Sequence, residues 1–245
     1  MTCLQPVWYE ELQVRHTEIG PDGLLSVKSF FDYMQLAAGN HADHLGVGIF
    51  LLHEKNMLWV LSRIRLKILR SPGLGETVRI KTYPSGFQRL FATRQFELTT
   101  PGGEQLAMAS SFWLTLNAAT FRPQNPAVVH GNSLPLNEKE ARFFPELEKI
   151  PVTEPEYPLE LTVRPSQMDV NQHLNNSFYA SMTEDWIASR LNSLIRIQEI
   201  QINFNADLKR NESVLYGGQI NGKSFLVEGR DGNGRNIFQS SGIFL

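Results

Sequence analysis

The sequence predicts an α+β protein in which one plan, a long helix wrapped by a curved antiparallel sheet, is built twice in tandem. Three observations predict it. The stretch ELQVR at 11–15 returns as ELTVR at 160–164. After each copy, a turn-rich loop leads into one segment with apolar residues at helical spacing. After each helix the period changes from helical to alternating, as in half-buried strands joined by hairpins.

In the first half the helix carries Phe30, Met34, Ala37, Ala38, Ala42 and Leu45 on one face, and Gly46 stands where a left-handed terminating residue belongs. MLWVLSRIRLKILR (57–70) and GETVRIKTY (75–83) then alternate as strands. Pro101-Gly102-Gly103 marks a hairpin, and SSFWL (110–114) closes the half. In the second half the helix face is Phe178, Met182, Trp186 and Ile187. LIRIQEIQINF (194–204) and NESVLYGGQI (211–220) follow, the latter repeating the E-[TS]-V start of 76–78 at 212–214. Asn221-Gly222 and Asp231-Gly232 mark turns, and SSGIFL (240–245) ends the half as SSFWL ended the first.

Seven of the thirteen prolines lie between Pro123 and Pro158, which reads as a linker with room for one short helix. The expected boundaries are a first domain at 1–125, a linker at 126–156 and a second domain at 157–245. Phe143, Phe144 and Leu147 give the linker something to pack with.

Composition narrows the functional classes. A net charge of −2 carries no global field for nucleic acid or an anionic membrane, and no nucleic-acid motif is present. The single cysteine, Cys3, excludes an internal disulfide and a multi-cysteine zinc site and fits a reducing compartment. With no signal-like start and no membrane-length apolar run, the expectation is a cytoplasmic protein, as monomer or homodimer. His41 and His44 share a helix face and could bind a metal with Asp43, but a solvated or hydrogen-bonded helix histidine is the commoner case, and neither metal nor cofactor is expected. Arg63, Arg65 and Lys67 alternate with Ile64, Leu66 and Ile68, the pattern of a strand's wet face, with docking of an acidic partner as the functional alternative.

The chemistry concentrates in DVNQHLNN (169–176), immediately before the second helix. A helix start needs one capping side chain. Asp169, Asn171, His173, Asn175 and Asn176 exceed that need, and the matching stretch of the first half, EIGPDGLLSV (18–27), has no histidine and no paired amides. Helix N-termini favour developing negative charge, and a histidine with an ordinary pKa of about 6.5 can move protons at neutral pH.

With the duplicated plan and this motif, the sequence resembles the acyl-acyl carrier protein (acyl-ACP) thioesterases, which have a double hot-dog fold. VRPSQMDVNQHLNNSFY (163–179) carries most of the likeness, with MLWVLSRIRL (57–66) and SSFWLTLNAATFRP (110–123) in the first half. Single hot-dog thioesterases more often have D-x-x-G-H-x-N-N, so Asn171 and Gln172 favour the carrier-protein branch. The resemblance implies a thioester hydrolase that releases free fatty acid from acyl-ACP in fatty acid biosynthesis, without a cofactor. It implies Asp169, Asn171, His173 and a carboxylate base as the catalytic set. The family's base is a Glu on the strand after the helix, and the aligned residue in NFNADLKRNESV (203–214) is Asp207, one methylene shorter. Plant members carry Cys beside that Glu; here the position is Leu208, so water is the expected nucleophile. No G-x-S-x-G elbow offers a serine instead.

Within this scheme Asn171 can donate to the acyl carbonyl or hold the water, and Asp169 can orient His173 or Asn171. Asn175 and Asn176 are candidate substrate contacts, Asn176 being also a candidate helix cap. Lys209 and Arg210 are candidates for the phosphopantetheine phosphate. The family's acyl pocket in the first half makes Phe30, Phe31, Met34 and Trp59 candidate tunnel residues. Two rivals stay open: an acyl-CoA thioesterase, and a non-catalytic acyl-binding or sensing protein.

Overall fold

The computed structural model describes residues 5–131, 134–135, 137 and 139–245. Cys3 lies outside the described residues. The chain divides into two compact units, one comprising residues up to Ser26 with Asp32–Leu147, the other Val27–Phe31 with Glu148–Leu245.

In chain order β1 (Trp8–Gln13) precedes α1 (Val27–His44), whose residues from Asp32 on belong to the first unit, then a short helix α2 (Ile49–Glu54), β2 (Met57–Ile68), β3 (Thr77–Gln88), β4 (Phe91–Thr99) and β5 (Gln105–Asn117). A two-residue strand β6 (Pro123–Gln124) and helix α3 (Pro126–His130) end the run. The second unit holds β7 (Leu159–Thr162), α4 (Ser177–Leu191), β8 (Ile197–Phe204), β9 (Ser213–Asn221), β10 (Ser224–Asp231) and β11 (Asn236–Phe244). The strands pair in the order β1-β3-β4-β5-β2 in one unit and β7-β9-β10-β11-β8 in the other, antiparallel throughout, so the duplicated plan extends to strand topology.

Sequence pattern explains the elements. Phe30, Met34, Ala37, His41 and Leu45 return every three or four residues and are buried. Gly46 takes a φ of 70°, which a Cβ would oppose, and turns the chain out of α1. In the second unit Tyr179, Met182, Trp186 and Ile187 form the buried face of α4. The Tyr179 ring meets Phe204 and Phe238 edge-on, with centroids 5.3 and 5.1 Å away, and Thr183 Oγ1 lies 2.7 Å from Ser240 Oγ. Each large apolar side chain so buried contributes about 1.5–3 kcal/mol. The alternating segment expected at 194–204 is strand from Ile197 on, and Leu194 is exposed. Helix α2 has no counterpart in the sequence reading; six residues are too few for a helical period to register.

The segment expected as a linker lies on the two sheets through buried polar side chains. Gln95 accepts from Phe143 N (3.1 Å) and Ser110 Oγ (2.5 Å), Ser110 Oγ in turn accepts from Phe144 N (3.0 Å), and Tyr83 donates to Ala141 O (2.7 Å). On the second sheet Gln239 donates to Pro151 O (3.0 Å), and the buried carboxylate of Glu228 receives Thr153 N, Gln239 Nε2 and Arg230 Nε. The Arg63–Lys67 stripe is therefore not a free wet face. Arg63 donates to Leu147 O, and the Arg65 guanidinium stands 4.7 Å from the centre of the Phe144 ring.

Two buried histidines are held neutral. His41 donates from Nε2 to Gln5 O (2.9 Å) and accepts Arg94 Nη1 at Nδ1 (3.1 Å), leaving no ring nitrogen for a metal. His130 stacks on Trp59 and lies 2.8 Å from Thr115 Oγ1. Burial, then the charge of Arg94, pushes His41 down to about 4; burial, then Lys55, does the same to His130. Unfolded histidine titrates near about 6.5, so below that pH the unfolded chain binds protons that the folded chain does not, and stability falls as pH drops toward 4. Denaturant melts at pH 7 and pH 5 should differ by about 2 kcal/mol per histidine. His130→Gln should remove roughly half of that slope, and a pH-independent stability would contradict the neutral, buried assignment.

Candidate active site

Backbone bonds and one carboxylate shape the loop that carries the site. The chain leaves β7, makes a short 3₁₀ turn at Pro165–Gln167, and folds back so that Asp169 N donates to His173 O (2.8 Å) and Gln172 N to Asp169 O (3.0 Å). Gln172 has a φ of 64° at the tip of this turn. Asp169 Oδ1 accepts from Asn171 N (2.9 Å) and His173 N (3.2 Å). Asp169 thus holds both residues by their backbone, and the expected contact with the imidazole is absent. An aspartate two residues upstream reaches amide protons more readily than a side chain pointing away from the turn.

Leu174 N donates to Leu208 O (2.8 Å), and His173 bridges Lys209, zipping this loop to the one that follows β8. Leu174 and Leu208 are both buried. Extended chain alternates its side chains, so fixing these two inward turns their neighbours His173 and Asp207 to the opposite side. There His173 Nε2 lies 3.1 Å from Asp207 Oδ2, with side chains 32% and 43% exposed. Lys209 Nζ is 4.0 Å from the same carboxylate oxygen, and Arg235 Nη2 donates to Asp207 O (3.4 Å) while its Nε meets Asp231 Oδ2 (3.0 Å).

The start of α4 is capped by Asn175, whose Oδ1 accepts from Ser177 N (3.0 Å) and Ser177 Oγ (3.1 Å). Asn176 makes no side-chain cap bond. The two asparagines thus differ from the sequence expectation: the cap is Asn175, and its carbonyl oxygen is occupied by that task. From residue 171 to 179 every backbone N–H has an acceptor among the described residues except that of Asn176. The Asn171 amide also has no partner there and is half-buried. Two donors on this loop are thus unspent, the Asn171 amide and the Asn176 N–H, and the second lies at a helix N-terminus, where the dipole favours an anion.

The first unit supplies an internal control. Gly20 N donates to Leu24 O (2.8 Å), Gly23 N to Gly20 O (3.0 Å), Leu25 N to Pro72 O (2.8 Å) and Ser26 N to Glu18 O (3.0 Å). These bonds match Asp169–His173, Gln172–Asp169, Leu174–Leu208 and Asn175–Gln167 one for one. Gly23, with a φ of 78°, occupies the place of Gln172. The same backbone therefore forms with Asp22 in place of Asn171, Leu24 in place of His173 and Ser71 in place of Asp207. Neither the turn nor the zip requires an amide, an imidazole or a carboxylate at those three positions.

Of the other sequence candidates, Phe30, Phe31 and Met34 are buried on α1, with Phe30 and Phe31 counted in the second unit and Met34 in the first. Trp59 is half-buried, donates to Val47 O (2.8 Å) and stacks on His130. Lys209 and Arg210 are exposed, only Lys209 being near Asp207. Sequence reasoning missed Arg235, which reaches the site from the β10–β11 turn, and Tyr179 under the loop. Burial, then the charges of Asp207 and Asp169, pushes the Tyr179 phenol up. The sequence reading places Phe178 on the buried face of α4, where the structure buries Tyr179 and leaves Phe178 half-buried; nothing in one sequence connects Arg235 with Asp207. Among the described residues no cluster of His, Cys, Asp or Glu is arranged to hold a metal, and no helix is long and apolar enough to cross a membrane.

The fold and the site define a class: a tandem hot-dog protein with a carboxylate and an imidazole paired on the loops before and after the second long helix. The model of the acyl-ACP thioesterase N-terminal domain matches residues 5–127, and that of the C-terminal domain matches residues 152–237. A chloroplastic palmitoyl-acyl carrier protein thioesterase of Arabidopsis thaliana is 32% identical over 71% of this chain and 45% of that protein. A chloroplastic oleoyl-acyl carrier protein thioesterase of the same plant is 26% identical over 84% of this chain and 61% of its own. The chain therefore spans about half the length of the curated relatives it matches first. Among solved structures, an acyl-ACP thioesterase from Bacteroides thetaiotaomicron superposes with a TM-score of 0.86 at 23% identity, covering 98% of both chains. The 12:0-ACP thioesterase from Umbellularia californica gives 0.81 at 23%, covering 100% of this chain and 99% of that one; both likenesses bear on the fold. The chain belongs to the acyl-ACP thioesterase family.

The strain at Gln172 is measurable. A left-handed non-glycine residue costs about 1–2 kcal/mol, while glycine gives back about 0.5–1 through its freer unfolded chain. Gln172→Gly should therefore raise stability by about 0.5–1 kcal/mol in thermal melts. A loss of stability would show that the Gln172 side chain makes contacts worth more than its strain.

Proposed function

We propose that this protein hydrolyses acyl-ACP thioesters and releases free fatty acid, with the chemistry confined to the second unit. The observation that carries the reading is the 3.1 Å approach of His173 Nε2 to Asp207 Oδ2 on a loop pair whose first-unit twin keeps the backbone and lacks both groups. A carboxylate nearly half exposed can take a proton from water, and the shorter reach of Asp is made up by that water. The attacked carbonyl oxygen becomes an anion, for which the Asn171 amide and the Asn176 N–H are the unspent donors. The imidazole beside Asp207 receives the proton and returns it to the departing thiolate. Asp169 positions the loop, and Lys209 and Arg210 face solvent where a phosphopantetheine phosphate would approach.

The reading takes the acyl carrier protein as the partner that presents the substrate. Its chain-binding part draws on Phe30, Phe31 and Met34, and its cytoplasmic location on the single cysteine.

Asp207→Asn should lower kcat by about 10²–10⁴ with KM little changed, because a general base contributes to the transition state rather than to binding. Single-turnover release of thiol from acyl-ACP measures it, and a near-wild-type rate would remove Asp207 from the base role. Cys3→Ser should leave turnover intact; a dead variant would overturn water attack. Presenting matched acyl-ACP and acyl-CoA series decides the carrier. Release from CoA esters alone would assign the thiol to CoA, and binding without release would make the protein an acyl sensor.

A further inference from the structure

Arg94, on β4 in the first unit, is a charge that the fold does not neutralise. The residue is 92% buried, and no carboxylate of the described structure pairs with it. Both of its hydrogen bonds leave from Nη1, one to His41 Nδ1 (3.1 Å) and one to Thr82 Oγ1 (3.2 Å). His41 cannot balance the charge, because its Nε2–H is committed to Gln5 O and the ring is neutral. The opposite edge of the guanidinium, Nε with Nη2, has no protein acceptor among the described residues. Among the described residues no fully occluded side-chain nitrogen or oxygen lacks a partner, so these two atoms border open space. Burial lowers the Arg94 pKa to about 10, which still leaves the side chain charged at neutral pH.

That edge is the one whose parallel N–H groups match the two oxygens of a carboxylate. Its surroundings are apolar. Ala92 and Phe96 share the face of β4 with Arg94, Ile80 shares that of β3 with Thr82, and Ala37 and Ala38 lie one turn before His41 on α1; all five are buried. An unpaired cation in such a place is costly, and a better-packed apolar residue would ordinarily be more stable. We propose that Arg94 presents its Nε–Nη2 edge as a binding site for a carboxylate carried on an otherwise apolar ligand, inside the first unit between α1 and strands β3 and β4. His41 and Thr82 position the fork by fixing its other edge, so little side-chain entropy is lost on binding. The site is separate from Asp207, and a result against it leaves the proposed hydrolysis standing.

Calorimetric titration with dodecanoate and with dodecanol tests the site. Wild type should bind the acid at least tenfold more tightly than the alcohol. Arg94→Met should bring the ratio near one, and Arg94→Lys, which keeps charge without the fork, should recover little of it. Acetate distinguishes the source: an Arg94-dependent rise in Tm with acetate means that small carboxylates suffice, and a rise with dodecanoate alone assigns the site to long-chain acids. Arg94→Met should also melt at or above the wild-type Tm. Equal affinity of wild type for acid and alcohol, or an acid preference that survives in both variants, overturns the proposal. Should Arg94→Met not fold, the charge is structural and the proposal also fails.

Discussion

The contact between Leu174 and Leu208 is where the fold becomes a site. One backbone bond, from Leu174 N to Leu208 O at 2.8 Å, joins two loops that are more than thirty residues apart in the chain. Because both leucines are buried, their flanking residues have no choice of side, and an imidazole from one loop meets a carboxylate from the other. Loss of that bond would leave Asp169 holding a turn with nothing facing it.

The duplicated architecture repeats the same backbone zip in the first unit. Evolution of one repeat against another usually has to be inferred, but here the two loops can be compared bond by bond within one chain. Glycines at 20 and 23 shape the first loop, while aspartate and a left-handed glutamine shape the second. At the matched position the second loop therefore carries strain that the first avoids with Gly23, which fits the tendency of strained residues to gather at functional loops. What remains after the shared bonding is subtracted is a short set: Asn171, His173 and Asp207.

The interior of the first unit shows another division of labour. Its outer sheet face holds polar side chains that bond the covering segment, as in the Gln95–Ser110 group beneath Phe143 and Phe144. Its inner face holds Arg94, satisfied on one edge only. Polar groups that bind protein segments and polar groups left for a ligand differ in this accounting, and both are costly to bury without partners.

The sequence by itself determined the duplicated order of elements, because periodicity, turn residues and the paired ELQVR and ELTVR segments are local signals. It also marked DVNQHLNN, since five polar residues exceed what one helix start can use. Only the tertiary structure decided which residues do what. That Asn175 caps α4, that Asp169 grips backbone rather than imidazole, and that Arg63 and Arg65 hold the linker are outcomes of distances between segments. Arg235 beside Asp207 and Arg94 beside His41 were invisible for the same reason: each pair meets through packing of separate elements, and a single chain of letters carries no distance between them.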